Sequence, residues 1–487
     1  MMLTGVNLAL RFVGTSFQIY ITNRIGPAGV GLLQLIMSVG GLSMIAGTAG
    51  IRTGTMYLTA EEFGKNQEKN VPWVLSGCYR YSIFCSGVVS LLLYLFAPQI
   101  AEYWIGNTDT VGCLRLYSAF LPACCLCGVL TGLFTAANKI GTLAIVEIAE
   151  QFLSVAVTVT MLKFWAGNIP ERTCLAVIFG SCASITVTLL ILLLLTARYL
   201  PLHGPRISVS GKLFHAAVPL GAADVLKSGI NTVENLMVPK RLLLNRKISD
   251  PLSAFGTVTG MVFPVIMFPA CVLFGMSELL LPELARCNAA DRQPRIHYLI
   301  RRALKVALLY GSFFSGLLYL AAEELCMQLY DSTAACSALK LYSLLIPMLY
   351  CDTVTDAMTK GLGQQAVCVR YNIITSAMDV ILLFYFLPVW GMEGYFLSFS
   401  VTHAVNFRLS LNRLKQITGI RIRSRIPICT VLTSLLCAVA ASFLSQSFTK
   451  VTAYILLYFS ALTLLQVLSR EDLTWMKGLF LSMKKAA

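Results

Sequence analysis

The chain has 487 residues, of which 57% are hydrophobic and only 13% charged, and its mean hydropathy is +0.74. Soluble domains run near 45–50% apolar and about 25% charged, so this composition excludes a soluble multidomain enzyme, a disordered chain, a collagen-like fibre and a small disulfide scaffold. The formal charge of +15 is scattered in short clusters between apolar runs. That pattern fits the loops of a polytopic membrane protein and argues against a nucleic-acid surface, which needs one exposed basic patch.

A bilayer core of ~30 Å needs roughly 20 apolar residues per helix. Runs of that size between charged or Pro/Gly breaks predict fourteen spans, at approximately 3–23, 29–57, 73–97, 111–136, 141–165, 174–198, 213–238, 251–283, 299–322, 337–360, 366–388, 392–412, 427–446 and 450–469. The first has no basic leader and no small-residue cleavage site, so it reads as a retained span. It carries Arg11, roughly 12 Å in at ~1.5 Å per residue, and Gln18. The second carries Arg52 toward its inner end, where interfacial anchoring is the competing reading, and the third carries Arg80. Cys124, Cys125 and Cys127 in the fourth lack the further ligands of a closed metal site, and read as small buried hydrophobes. Glu147 and Glu150 follow in the fifth.

The seventh span is the weakest by hydropathy and the most informative. Asp224, Lys227, Asn231 and Glu234 are spaced by 3, 4 and 3, which puts them on one helical face. Lys227 lies ~21 Å along the span. A charge at mid-bilayer costs several kcal/mol unless paired or wetted, so the stripe should line an internal cavity. The bland alternative is that Asp224 and Lys227 pair at i, i+3 and cement two helices. The tenth span places Asp352, Asp356 and Lys360 on one face, the last two close enough to the inner end to snorkel. Between spans nine and ten stand Cys326 and Cys336, a spacing that leaves pairing open. His403 and Asn406 in the twelfth fit an interhelical hydrogen bond better than a proton relay.

With the N-terminus inside, 24 Lys and Arg fall in inner connections and the tail, against 8 in outer ones. The positive-inside rule then puts both termini in the cytoplasm. Shifting the chain by 225 residues aligns Leu114-Arg115-Leu116-Tyr117-Ser118 and Pro122 with Leu339-Lys340-Leu341-Tyr342-Ser343 and Pro347, and Gly31 with Gly256. The shift spans six helices, so the copies share one orientation, as in transporters whose substrate site lies between parallel repeats. The expected organisation is an N-lobe at 1–200, a C-lobe at 201–416, and spans thirteen and fourteen with a basic tail at 417–487. No Walker A motif occurs, since Gly211-Lys212 is followed by Leu213, and Gly361-Leu362-Gly363 has no preceding strand. No enzyme activity, cofactor or metal is expected.

The stretch Ile25-Gly26-Pro27-Ala28-Gly29-Val30-Gly31-Leu32-Leu33-Gln34, with Ala49-Gly50-Ile51 and Ala60-Glu61-Glu62, resembles the opening of the stage V sporulation protein B group. That group is the polysaccharide flippase branch of the multidrug/oligosaccharidyl-lipid/polysaccharide exporter superfamily. Val238-Pro239-Lys240-Arg241-Leu242, Ala254-Phe255-Gly256, Leu281-Pro282-Glu283-Leu284 and the stretch from Pro347 to Gln364 resemble its later spans. The resemblance implies an all-α, V-shaped membrane protein: two parallel six-helix repeats plus two C-terminal helices. It further implies a monomeric cell-membrane transporter that flips a lipid-linked saccharide of the undecaprenyl-diphosphate type, in cell-wall or spore-cortex synthesis. The substrate path would then run past Arg11, Arg52, Arg80, Asp224, Lys227, Asn231, Glu234 and Asp352. Relatives often carry a basic residue where Gln18 stands. Two other readings stay open: a cation-coupled multidrug exporter relying on Asp224, Glu234 and Asp352, and a non-transporting assembly scaffold whose intramembrane charges are all paired.

Overall fold

The computed structural model describes residues 2–65, 67–166, 169–199, 210–420, 425–444, 447–465 and 467. The connection between the sixth and seventh spans and the basic tail lie outside them. The chain is all α-helical: α1 Met2–Thr48, α2 Ile51–Gly64, α3 Val71–Gln99, α4 Val111–Ala136, α5 Ile140–Met161, α6 Pro170–Tyr199, α7 Ser210–Leu242 and α8 Pro251–Gly256. There follow α9 Phe263–Ala289, α10 Gln293–Tyr330, α11 Thr333–Ser343, α12 Ile346–Gly361, α13 Gln365–Trp390, α14 Met392–Thr418, α15 Arg425–Ser442 and α16 Ser447–Leu464. Among the described residues there is no strand.

Among the described residues, eight stretches are long and apolar enough to cross a membrane, the first of them, Leu10–Gly64, holding the first two expected spans. A ninth is the pair α11 and α12, bent by 57°. Over the described residues α7, α14, α15 and α16 do not meet the same measure of length and apolarity. Together these give the fourteen spans.

Two spans are broken where the sequence reads as continuous. The second bends at Ala49 and Gly50, both left-handed, with φ of 42° and 75°. The break is held by α7, for a Cβ on Gly221 would lie 2.5 Å from the carbonyl carbon of Ala49 and one on Gly50 would strike the Ala217 carbonyl. Only glycine permits such an approach. The tenth span breaks between α11 and α12, with Pro347 in the first turn of α12. In the fourth, Pro122 sits inside a continuous α4. A proline deprives the carbonyl four residues earlier of its partner, and there the Ser90 hydroxyl donates to Ser118 O at 2.6 Å.

Packing divides the chain into two compact units. One holds Met1–Thr15, Thr257–Asp379 and Met392–Ala487, and the other Ser16–Gly256 and Val380–Gly391. The boundary near 200 expected from the repeat is a statement about duplication, and packing follows other lines: α7, assigned by the repeat to 201–416, docks on α2 within the second unit. In the first unit, α15 and α16 are tied to α10 through hydroxyls. Ser434 donates to Ser312 O at 2.6 Å, Tyr454 to Phe313 O at 2.9 Å and Tyr458 to Leu309 O at 2.9 Å. Buried tyrosines need such acceptors.

Geometry repeats in the 225-residue register. Gly106 and Asp331 are both left-handed helix ends, followed by Asn107 and Ser332, extended caps whose side chains accept a backbone N–H. Ser118 donates to Arg115 O at 2.7 Å and Ser343 to Lys340 O at 2.8 Å. Asn138 and Gly363 both have positive φ. Within the second unit, Gly31 and Gly256 pack on each other: a Cβ on Gly31 would lie 2.5 Å from Leu252 O, and one on Gly256 would lie 2.7 Å from Gly31 N and strike Pro27 O.

Two checks follow from the expected topology. Single cysteines in a cysteine-free background at Asp291, which is exposed, and at Ser332 should label from opposite faces, Asp291 from the cytoplasm. Labelling of both from one face would overturn the alternation. Cys326 and Cys336 are free and buried, the Cys336 thiol facing Ser332 O at 3.1 Å and Glu323 O at 3.6 Å. Both should alkylate after denaturation without prior reduction. A disulfide-linked peptide in non-reducing mass spectrometry would refute this.

Candidate functional site

The break at Ala49–Gly50 organises the second unit's charged residues. Arg52 follows it on α2, with Gly132 of α4 packed on the Arg52 carbonyl. The Tyr81 hydroxyl of α3, next in the chain to Arg80, donates to Ala49 O at 3.2 Å. Arg80 is exposed, its Nε donating to Ser76 O at 3.3 Å on its own helix. Gly221 of α7 meets the break directly, and Asp224 lies three residues (~4.5 Å) further on.

The face α7 presents is set by two residues the sequence reading missed. Thr232 donates to Ser38 O at 3.1 Å, and Asn235 donates to Ser38 Oγ at 2.9 Å. Each follows a stripe residue, Asn231 and Glu234, by one position, or about 100° of rotation. Docking through Thr232 and Asn235 therefore turns the stripe aside, leaving Asp224, Lys227 and Asn231 exposed and Glu234 half-buried. Among the described residues Asp224 and Lys227 have neither an ion pair nor a hydrogen bond. The i, i+3 pair is not made. Ser38 and Thr232 carry no sequence signal of their own, because isolated hydroxyls in spans usually bond within their helix.

Arg11 and Asp352 belong to the first unit. Arg11 is exposed, its guanidinium 4.7 Å from the centre of the Phe274 ring. Asp352 is 8% exposed and is held across helices by Asn406 of α14, whose Nδ2 donates to Oδ1 at 3.2 Å and Oδ2 at 3.1 Å. His403 Nδ1 stands 3.7 Å from the same carboxylate. Asp356 and Lys360 pair with each other at 2.8 Å. A second buried carboxylate, Asp379 of α13, was not singled out by the sequence reading. It is 6% exposed and accepts from Ser398 at 2.5 Å and Thr402 at 3.3 Å. The signal was present as Ser398, Thr402, Asn406 and Ser410, four polar residues every fourth position along α14. That seam serves Asp379 with its first two members and Asp352 with its third.

Unpaired charge on a span, buried acids on a hydroxyl seam and local geometry repeated in a 225-residue register are features a membrane transporter uses. The chain matches the MatE family profile over residues 4–160. It is 20% identical over 398 residues, 79% of this chain and 76% of the relative, to stage V sporulation protein B of Bacillus subtilis (strain 168). Among solved structures it is similar to the lipid II flippase MurJ in an inward closed conformation, with a TM-score of 0.75 at 14% identity, covering 96% of this chain and 99% of that one. It is similar also to an inward-facing multidrug resistance MATE transporter, with a TM-score of 0.68 at 14% identity, covering 86% and 100%. The chain thus shares the fold of the MurJ and MATE structures, and its residues 4–160 carry the MatE profile.

Proposed function

We propose that this chain is a flippase that carries a lipid-linked oligosaccharide or polysaccharide precursor, of the undecaprenyl-diphosphate type, across the cell membrane by alternating access. It acts as a monomer with both termini in the cytoplasm, in cell-wall, spore-cortex or exopolysaccharide synthesis. The observation that carries the reading is Lys227 on the exposed face of α7, without an ion pair among the described residues, with exposed Arg52 on α2 and Arg80 on α3 in the same unit. A diphosphate cannot cross ~30 Å of hydrocarbon unshielded, and cations with no protein carboxylate to neutralise them are what such a headgroup needs. Coverage supports the same choice. The MurJ likeness takes in 96% of this chain, whereas the MATE likenesses take in 85–86%.

The test is transbilayer movement of a fluorescent undecaprenyl-diphosphate saccharide in proteoliposomes. Accelerated loss of the label to an external quencher is expected, and a rate equal to protein-free vesicles would refute the reading. A second reading, cation-coupled drug export, draws on Asp352 and Asp379 buried along α14. It predicts extrusion of cationic dyes driven by an imposed sodium or proton gradient. An assembly scaffold would have its intramembrane charges paired, and among the described residues Asp224 and Lys227 have no partner.

A further inference from the structure

Away from these charges, the second unit has a groove of about 660 Å³ between the end of α3, the start of α4, the end of α5 and the start of α6. Its size is within the ~300–1,000 Å³ of small-molecule sites. Tyr94, Met161, Trp165, Leu175 and Phe179 make apolar walls. The single charge in it is Arg115, exposed and lying over the Tyr94 ring at 5.0 Å. Among the described residues Arg115 has no carboxylate or other ion-pair partner.

With the helix starts at the membrane face, as the expected topology has them, the depths of these groups match the layers of one leaflet. Arg115 is the fifth residue of α4, ~6 Å below its start, and Phe179 the tenth of α6, ~14 Å below its start. An arginine at that level reaches the phosphate layer, a tryptophan belongs to the interfacial belt, and the apolar walls continue into the acyl region. We propose that this groove is a specific site for an anionic glycerophospholipid, its phosphate on Arg115 and one acyl chain between α3, α4, α5 and α6. A zwitterionic lipid offers the same chain but a headgroup whose own cation competes for the phosphate. Charge complementarity therefore selects the anionic lipid, in the leaflet that is the outer one on the proposed topology.

Native mass spectrometry of the detergent-solubilised protein, titrated with phosphatidylglycerol or phosphatidylcholine of identical chains, tests this. The wild type should retain one phosphatidylglycerol about fivefold more tightly than phosphatidylcholine, the scale of one Arg near an anionic headgroup. Arg115→Ala should lose that preference and Arg115→Lys keep it. Gly112→Phe, at a position where an added Cβ meets only Leu175 at 3.9 Å, should fill the groove and cut retention with Arg115 intact. Equal retention of both lipids by the wild type would overturn the proposal. So would a phosphatidylglycerol preference that survives in folded, monodisperse Arg115→Ala or Gly112→Phe.

Discussion

Lys227→Ala is expected to slow flipping of a labelled lipid-linked saccharide in proteoliposomes on the order of a hundredfold. That factor corresponds to the ~2.5–3.5 kcal/mol that a charge costs at the centre of a bilayer. In the protein as it stands Lys227 contributes nothing visible to the fold, having neither ion pair nor hydrogen bond among the described residues. Its removal should therefore leave expression and the melting temperature near those of the wild type. Lys227→Arg should keep part of the activity, because a diphosphate responds first to charge. Normal flipping by Lys227→Ala would end the cation-path mechanism. A lowered melting temperature with no change in flipping would make α7 a packing seam instead.

The largest structural effect is expected at Gly256. A side chain there meets the backbone of Pro27 and Gly31, not the end of a flexible side chain. Overpacking a core costs about 1–3 kcal/mol, more when neighbours cannot yield, and backbone in a helix yields least. Gly256→Val should thus lose about 3 kcal/mol or more, read as a marked fall in the temperature at which the detergent-solubilised protein leaves its monodisperse peak. Gly41→Val is the control, since a Cβ there meets nothing within 4 Å. Equal melting temperatures for the two variants would show that the helices separate freely at this crossing.

The architecture was legible because membrane spans are declared by composition. Runs of apolar residues bounded by charges predicted the helices, and the Leu-Arg/Lys-Leu-Tyr-Ser match gave a repeat register later seen in paired caps and paired left-handed residues. The breaks at Ala49–Gly50 and between α11 and α12 were not legible, because each depends on a tertiary neighbour. Gly221 wedges the first, and the second differs from its counterpart in α4, where Ser90 rescues the freed carbonyl. In the candidate site, the spacing of Asp224, Lys227, Asn231 and Glu234 fixed a face, but its direction was set by Ser38, 194 positions before Thr232 in the chain. Asp379 was missed for the opposite reason. A lone acid inside an apolar run becomes meaningful only beside the hydroxyls of α14.

The crossing at Gly31 and Gly256 carries a consequence for descent. Residues 27 and 252 are repeat mates, as are 31 and 256, so each glycine sits against the backbone of its own counterpart's turn. Such an arrangement is isologous, the signature of two identical surfaces meeting across a twofold axis. A half-length ancestor could have met a second copy of itself through this turn, one missing side chain clearing the clash on both sides at once. Fusion of the halves ended that doubling. Each glycine must now be retained separately by two stretches of sequence free to diverge everywhere around it, and these two positions are where a dimer's history is still written into a single chain.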